Sequence, residues 1–277
     1  MTTHTLTKQI RDAWDAAATG FDVFVTPQTL GLGEEVVGRL GLRPGMRLLD
    51  VGTGSGALAI PAARLGARVV AVDIAPTMIE RLRARAGKEG LPDLDGRVMD
   101  GHALDLKDDT FDVSASQNGV SLFPDLAGGL AELVRVTKPG GRVLIVAFGP
   151  LKKVEFFGFF MGALQAAVPG FTPPPTDPPP LQFQVADPDL LRRRLTEAGL
   201  TGVTVEAVTW DMRFESATQF WDWIISSNPI AVQLTADLTA EQTADVRQVL
   251  DGMFRERSGG MPGVVLHAEV NVGVGTK

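Results

Sequence analysis

The sequence predicts an α/β fold built on a mostly parallel sheet. Apolar runs with the length and composition of buried strands alternate with segments of helical periodicity, which is the pattern of parallel strands joined by helices. Three of these runs end on an acid, and a glycine-rich loop directly follows the first. Because parallel strands place their carboxyl ends at one edge of the sheet, the acids and the loop predict a ligand site at that edge.

The glycine-rich loop is the segment around which this site is organised. A strand predicted to end on Asp50 leads into it, Gly52, Gly54 and Gly56 follow at alternate positions, and a helix is predicted over 57–65. Glycines let the backbone turn tightly and let a ligand lie against it. Taken alone, the loop also fits a degenerate dinucleotide fingerprint or a tight turn that binds nothing.

The strand-end acids narrow the class of ligand. Asp50 closes the first predicted strand, Asp73 closes a strand over 68–73, and Asp100 lies in a strand over 97–102. Three acids at one edge suit a cationic or hydroxyl-rich ligand and would repel a pyrophosphate. Asp73 follows the first glycine by about twenty residues, the spacing at which an acid can accept hydrogen bonds from both ribose hydroxyls.

Periodicity also places the remaining elements. Further strands are predicted over 111–116, 142–148, 203–209 and 263–274, and helices over 7–19, 29–40, 76–86, 125–137 and 187–198. An apolar helix is predicted over 151–168, followed by a stiff connector over 169–180 that contains seven prolines. An aromatic helical insertion over 215–257 separates the last two strands.

Composition excludes several function classes. The chain has 277 residues and is 44% hydrophobic, which is enough for a large core, and its net charge of -7 makes nucleic acid an unsuitable partner. The absence of cysteine excludes disulfides and thiol chemistry. The three histidines are too far apart in sequence to predict a metal site. No basic and apolar leader and no membrane-length apolar run is present, so we expect a soluble cytoplasmic protein without stable membrane insertion.

Five motifs together resemble the class I S-adenosylmethionine-dependent methyltransferases, and most closely their small-molecule, ubiquinone/menaquinone methyltransferase-like group. The resemblance covers about residues 10 to 150. The motifs are Leu49-Asp50-Val51-Gly52-Thr53-Gly54-Ser55-Gly56, Val72-Asp73-Ile74 with Met78, Met99-Asp100-Gly101-His102-Ala103-Leu104, Phe111-Asp112-Val113, and Leu133-x-Arg135-Val136-x-Lys138-Pro139-Gly140-Gly141. It implies a Rossmann-like seven-stranded sheet with helices on both faces, an antiparallel last strand, and helical insertions that form a cap.

The resemblance also implies the cofactor, S-adenosyl-L-methionine, and the residues that hold it. In order along the chain these are Asp50, Gly52, Thr53, Gly54 and Gly56 at the methionine part, Asp73 at the ribose, Ile74 and Met78 at the adenine, Asp100, Gly101 and His102 at its other edge, and Gln117 and Asn118 near the sulfonium. The cofactor carries an ammonium and a sulfonium and has no phosphates, so acids suit it.

The acceptor side is less defined by sequence. Aromatic residues outside the motifs that could touch the substrate are Trp14, Phe21, Phe160 and Trp221. Some relatives of small-molecule specificity carry a histidine near Ser121, and this chain does not, so the catalytic residues stay unknown. The segment Asn118-Gly119-Val120-Ser121 also differs from the motif of enzymes that methylate amino groups of nucleic acids.

Six segments are expected along the chain. They are an N-terminal helical arm or lid (1–45), a cofactor-binding core (46–150), an apolar and proline-rich insertion (151–186), a continuation of the core (187–214), a helical substrate cap (215–260) and a last core strand (261–277).

The expected function is methyl transfer to a small-molecule acceptor that has an apolar or aromatic body. The alternatives are an NAD-dependent oxidoreductase and a module that binds S-adenosylmethionine without catalysis. Asp50, two residues before the first glycine, argues against the first alternative, because an acid there would face the pyrophosphate. The sequence leaves a homodimer open.

Overall fold

A seven-stranded sheet forms the centre of the molecule. The computed structural model describes residues 3–175 and 177–277, with the side chains of 3–6 and 227 excepted. The strands are β1 (Arg47–Val51), β2 (Arg68–Asp73), β3 (Leu94–Val98), β4 (Phe111–Gln117), β5 (Thr137–Phe148), β6 (Thr201–Phe214) and β7 (Val264–Thr276). Their order in the sheet is β3-β2-β1-β4-β5-β7-β6. The first five pair in parallel, and β7 is antiparallel to both of its neighbours. The predicted fold class is therefore confirmed.

Ten α-helices surround this sheet in the described residues. They are α1 (Thr3–Gly20), α2 (Thr26–Gly38), α3 (Ala59–Arg64), α4 (Pro76–Glu89), α5 (Leu126–Val136), α6 (Glu155–Ala167), α7 (Pro188–Glu197), α8 (Ala217–Ser227), α9 (Pro229–Thr235) and α10 (Ala240–Ser258). Apolar residues of α5 and α7 pack on one sheet face. Those of α2, α3, α4, α6, α8 and α10 form a larger core on the other face.

The N-terminal helices are more continuous than predicted. A π-helical turn, Phe21–Val25, joins α1 directly to α2, so the segment between the predicted helices 7–19 and 29–40 is helical as well. Pro27 lies in the first turn of α2, where its missing N–H removes no helical hydrogen bond. Residues 3–38 consequently form one helical run beside the sheet.

The edge strand β3 begins earlier than predicted. It spans Leu94–Val98 rather than residues 97–102, so Asp100 lies two residues beyond its end. Four of its five residues are exposed or half-buried, because β3 pairs with β2 alone. An exposed edge strand lacks the apolar run by which the other strands are recognised.

The capping residues predicted for the later helices are present. The Asp187 carboxylate accepts from the Asp189 N–H at the start of α7, and Thr239 forms a reciprocal capping box with Gln242 at the start of α10. The connector 169–180 contains Thr176, which lies outside the described residues.

The helices of the 215–257 insertion share the main core. Phe220, Trp221 and Trp223 of α8 are all less than 7% exposed and pack in one cluster with Phe214 of β6 and Phe254 of α10. Rings of this cluster contact one another edge-on, for example Phe214 and Phe220 with centroids 5.2 Å apart. The insertion is therefore packed against the sheet rather than held away from it.

Candidate functional site

The loop after β1 has a conformation that requires its glycines. Gly52, Gly54 and Gly56 have φ values of +67°, +54° and +102°, a backbone region that residues with a side chain rarely adopt. A Cβ on Gly52 would also lie 2.8 Å from the Cα of Gly119, which follows β4. The N–H groups of Gly52 and Thr53 both donate to the Val72 carbonyl, at 2.9 and 3.0 Å. The loop is thus fixed against the ends of β2 and β4.

Asp50 is a buried acid at the base of this loop. Asp50 is only 1% exposed, and its Oδ2 accepts a hydrogen bond from the Thr53 hydroxyl at 2.6 Å. Its Oδ1 is buried and has no hydrogen-bond partner within the described part of the chain. Burial raises the pKa of Asp50 to about 7, with a further rise from the nearby Asp73 carboxylate and an opposing effect of the Thr53 hydrogen bond. Such a group favours a ligand that donates hydrogen bonds or carries positive charge.

Asp73 is held firmly at the end of β2. Its Oδ2 accepts from the Gly54 N–H at 2.9 Å, and its Oδ1 accepts from the Ala75 N–H at 3.0 Å. Burial raises the pKa of this carboxyl, while these backbone donors oppose the rise. Each carboxylate oxygen has further acceptor capacity, so the group can still bind ligand hydroxyls. Ile74 follows it half-buried, and Met78 of α4 is 2% exposed.

The segment after β3 is held in place by contacts of His102 with Asp100 and with Phe123. The Asp100 Oδ1 accepts from the His102 N–H at 2.9 Å and lies 3.0 Å from His102 Nδ1. The imidazole stacks on Phe123, with centroids 4.4 Å apart and planes 29° apart. A Cβ on Gly101 would lie 2.6 Å from the same Phe123 ring. These contacts hold the His102 ring between Asp100 and Phe123.

Gln117 is the last residue of β4 and Asn118 follows it, and each side chain has an acceptor without a partner among the described residues. The Gln117 Nε2 donates to the Thr29 carbonyl of α2 at 3.2 Å. Asn118 has a φ of +53°, and its N–H donates to the Val146 carbonyl at 2.9 Å. Gln117 Oε1 and Asn118 Oδ1 are both buried without a partner among the described residues.

The helical run 3–38 packs over the glycine loop. The Phe21 ring is so close to the loop that a Cβ on Gly54 would lie 3.1 Å from it. Trp14 packs edge-on against Phe21, with centroids 6.1 Å apart. Both rings adjoin the buried Ala75 and Met78. Trp14 and Phe21 therefore lie beside the residues predicted for the adenine.

Two polar contacts attach α1 and the π-helical turn to α4. The Asp15 Oδ1 accepts from the Thr77 N–H at 2.7 Å, in the first turn of α4. Asp22 and Arg85 form an ion pair whose side chains are about one-fifth exposed.

Sequence reasoning missed the contact that joins α2 to the loop. The hydroxyls of Thr26 and Ser55, both fully buried, lie 2.5 Å apart. It also missed Thr29, whose carbonyl binds Gln117, and Phe123, which stacks on His102. None of these residues carries a local signal, because each contact joins segments that are distant in sequence.

The other two predicted acceptor residues lie in the core. Phe160 of α6 is 1% exposed and Trp221 of α8 is 3% exposed, and their rings are 6.4 Å apart. A third aromatic group contains Phe148, at the end of β5. The Phe148 ring packs against Phe156 and Phe183, whose ring centroids are 5.8 and 5.9 Å away. The four predicted aromatics thus fall into two separate pairs.

The residues at this edge fit S-adenosylmethionine. The unpartnered buried atoms here, Asp50 Oδ1, Gln117 Oε1 and Asn118 Oδ1, are all hydrogen-bond acceptors. The cofactor has an ammonium, a sulfonium and two ribose hydroxyls. It has no phosphate that the carboxylates would repel. The backbone of the glycine loop allows close approach.

Two kinds of feature are absent from the described residues. No group of three or more His, Asp or Glu side chains there could hold a metal ion. No helix of the described segments is long and apolar enough to cross a membrane.

The sequence of this chain is similar to sequences of methyltransferases. Residues 49–145 match the family described as methyltransferase domain. The chain is 40% identical over 117 residues to an uncharacterised protein of Mycobacterium tuberculosis, and this match covers 42% of each chain. It is 34% identical over 178 residues to the demethylmenaquinone methyltransferase of Streptomyces avermitilis, covering 61% of this chain and 74% of that one.

Solved structures share the fold at low identity. A methyltransferase-like protein of Bacillus halodurans has a TM-score of 0.56 and 19% identity, over 88% of this chain and 97% of that one. Phosphoethanolamine N-methyltransferase 2 of Haemonchus contortus, in complex with S-adenosyl-L-methionine, has a TM-score of 0.55 and 18% identity, over 89% of this chain and 52% of that one. Given the sequence matches, the sheet order and the glycine loop, this chain belongs to the class I S-adenosylmethionine-dependent methyltransferases.

Proposed function

We propose that this chain transfers the methyl group of S-adenosylmethionine to a small-molecule acceptor that has an apolar or aromatic body. The observation that carries the proposal is the sheet edge formed by Asp50, Asp73 and the glycine loop. This edge presents buried hydrogen-bond acceptors, and none of these residues has a cationic side chain. This chemistry suits the cofactor of the family. It does not suit the pyrophosphate of NAD, which the acids would repel.

The cofactor supplies an electrophilic methyl carbon on a positively charged sulfur. The task of the protein is then to hold the acceptor in line with that carbon and to exclude water. Correct placement of two reactants can supply about 7–11 kcal/mol of the barrier reduction. The family members matched over most of their length are named for a small-molecule acceptor, which supports an acceptor of this class.

The proposed cofactor residues follow the family motifs. Asp50, Gly52, Thr53, Gly54 and Gly56 would border the methionine part, Asp73 the ribose, Ile74 and Met78 one adenine edge, and Asp100, Gly101 and His102 the other, with Gln117 and Asn118 near the sulfonium. The contacts of Asp73 with the loop and the packing around Met78 support this arrangement.

The proposed acceptor residues are aromatic. Trp14 and Phe21 would close the site from the N-terminal arm (1–45), and Phe160 and Trp221 would support its wall from the insertions. The packing of Phe21 on Gly54 supports the arm as a lid. The shared aromatic core of α6, α8 and β6 supports the cap (215–260) as part of the acceptor side. A homodimer and a cytoplasmic location stay predictions.

A module that binds the cofactor without catalysis is the second candidate. The fixed place of His102, between Asp100 and Phe123, favours it, because the motif region has no other histidine to act as a base. A base is needed only where the acceptor arrives protonated at the attacking atom.

Turnover distinguishes the two candidates. The chain is incubated with S-adenosylmethionine and a panel of aromatic and polyketide-like acceptors, and release of S-adenosylhomocysteine is measured against a control without acceptor. Release above the control with any acceptor supports the methyltransferase. Tight cofactor binding with no release across the panel supports the non-catalytic module.

A further inference from the structure

The outer side of β6 is an open edge of the sheet. Among the described strands, β6 has β7 as its single neighbour and, with 14 residues, is the longest of the seven. Successive residues of a strand direct their backbone N–H and C=O groups to opposite sides, so half of these groups on β6 point away from β7. Such an edge can pair with a further strand.

The carboxyl end of this edge is covered by α2. The Gln28 Nε2 donates to the Arg213 carbonyl at 2.5 Å, and the Gln28 Oε1 accepts from the Arg213 N–H at 3.4 Å. Gln28 therefore occupies the outward groups of Arg213 as a neighbouring strand would. Since alternate residues point the same way, the odd-numbered residues carry the outward groups. Before Arg213, these residues are Val203, Val205, Ala207, Thr209 and Asp211.

The rest of the β6 edge lacks the features that protect the opposite edge of the sheet. The strand β3, at that opposite edge, has only five residues, and its Asp95 and Arg97 are charged and exposed. Short length and charge both disfavour the addition of a strand. Residues 203–209 of β6 contain no proline and a single charged side chain, that of Glu206.

The open stretch of β6 is bounded at both ends. At its start, the ladder with β7 is irregular between Thr201 and Thr204, and at its end Arg213 is occupied by α2. Between these bounds Ala207 is exposed, so the helices on the two faces of the sheet leave the edge uncovered. Within the described residues, no helix, loop or side chain forms a hydrogen bond with the outward backbone groups of 203–211.

We propose that residues 203–211 pair with the same stretch of a second copy of this chain, antiparallel about a two-fold axis at Ala207. The two seven-stranded sheets then become continuous across the axis. This inference concerns an interaction surface outside the ligand site, and it does not depend on the proposed function.

A second copy suits this edge because the two edges satisfy each other. In an antiparallel pair about a two-fold axis, the outward N–H and C=O groups of each copy meet those of the other. Both open edges disappear in one contact, whereas a strand from a different protein would bring an outer edge of its own. The half-buried Val203, Val205 and Val208 add apolar surface on both faces of the joined sheet.

Charge and the bounds of the open stretch select the position of the axis. An axis at Glu206 would place two carboxylates directly opposite each other, which is unfavourable. An axis at Val208 would need the backbone groups of Arg213, which α2 already occupies. An axis nearer the start of β6 would carry the pairing into its irregular segment. An axis at Ala207 uses all of 203–211 and places Glu206 opposite Val208 of the second copy.

The pairing leaves both ligand sites open. β6 is antiparallel to β7, which is antiparallel to β5, so β6 ends at the same sheet edge as the parallel strands. In an antiparallel pair of β6 strands, the ligand edges of the two copies therefore lie on opposite sides. Dimer formation should consequently leave the affinity for the cofactor unchanged.

Single cysteines test the axis directly, because the chain has no cysteine of its own. At the axis, the two Ala207 Cα atoms would lie about 5.5 Å apart, a separation that a disulfide spans. Since Thr209 would face Val205 of the second copy, the two Thr209 Cα atoms would be at least about 13 Å apart. Under mild oxidation, Ala207→Cys should form a covalent dimer, and Thr209→Cys, on the same edge and face, should not.

Sedimentation of the chain measures the contribution of the backbone groups. Ala207→Pro removes one outward N–H and leaves the ladder with β7 intact, because that ladder uses the even-numbered residues. We expect the wild type and the control Ala207→Ser to be dimers at roughly 100 µM, and the dimer of Ala207→Pro to dissociate at least about 10-fold more readily. All three should bind S-adenosylhomocysteine with the same affinity within about twofold.

Three results would overturn the inference. One is a wild type that is monomeric at roughly 100 µM. Another is disulfide formation by Thr209→Cys as fast as by Ala207→Cys, and the third is a folded Ala207→Pro chain with an unchanged dimer. If Ala207→Pro does not fold, the two cysteine variants decide. A dimeric wild type that binds no S-adenosylhomocysteine would refute the proposed function and leave this inference standing.

Discussion

At the scale of single residues, a few carboxyl and amide oxygens lie at the carboxyl ends of the parallel strands. Asp73 has backbone donors on both oxygens, from Gly54 and Ala75, and retains the lone pairs that a ribose needs. Asp50 and Gln117 each have one buried oxygen with no partner in the described segments. These oxygens suit a ligand that donates hydrogen bonds or carries positive charge.

Replacing Asp73 with alanine should weaken S-adenosylmethionine binding severely. Two ribose hydrogen bonds to a charged acceptor would be lost, each worth ~1.5–3 kcal/mol. Affinity should therefore fall by roughly 100-fold or more in a calorimetric titration. Asp95→Ala, at an exposed position on β3, is the control. Unchanged affinity in a folded Asp73→Ala chain would contradict the ribose assignment.

The buried Asp50 should make the stability of the ligand-free chain depend on pH. Burial raises its pKa to about 7 in the folded chain, against an ordinary value of about 3.9 when unfolded. Between these values the folded chain holds a proton that the unfolded chain has released. The free energy of unfolding should consequently fall as pH rises from about 4 to about 7, by on the order of 4 kcal/mol at most for this group.

Denaturant unfolding at a series of pH values measures this dependence. Asp50→Asn should remove a large part of the fall, because the amide does not titrate, whereas Asp95→Asn should keep it. An Asp50→Asn chain with the full pH dependence of the wild type would show that another group is responsible.

At the scale of elements, the attachment of α2 to the glycine loop is the contact that most directly supports the site. The hydroxyls of Thr26 and Ser55 are buried together, 2.5 Å apart. The backbones also approach closely, since a Cβ on Gly33 of α2 would lie 1.9 Å from the Ala57 carbonyl oxygen. Any shift of α2 would therefore move the loop and the Thr29 carbonyl that holds Gln117.

Thr26→Val should destabilise the chain by about 1–3 kcal/mol, because it leaves the Ser55 hydroxyl buried without this partner. Adding Ser55→Ala should recover part of the loss, since two apolar groups then meet. The free energies of unfolding of the two single variants and the double variant measure the coupling. Strictly additive losses would mean that this hydrogen bond does not contribute to stability.

An element can be predicted from the sequence where the residues that indicate it lie within one short stretch of the chain. β1 and β2 are predictable, because each is a short apolar run ending on an acid, and the loop glycines stand next to them. β3 is displaced from its prediction because it is an exposed edge strand. The Thr26–Ser55 and Gln117–Thr29 contacts join residues 29 and 88 positions apart, so no periodicity reveals them.

At the scale of the whole molecule, one sheet edge gathers elements from most of the chain. The motifs in 49–145 form the loop and the acids, the N-terminal run covers the loop, and the last strands extend the sheet beyond β5. Helices α8 and α10 pack in the same aromatic core as β6. Removing residues 215–260 should accordingly unfold this face, so acceptor selection is better tested by single substitutions.

The central claim is that this edge binds S-adenosylmethionine. The most direct test is calorimetric titration of the wild-type chain, in parallel, with S-adenosylmethionine, S-adenosylhomocysteine and NAD. Micromolar binding of both sulfur ligands, with no heat from NAD, is the predicted result. Binding of NAD alone, or of none of the three, would contradict the claim.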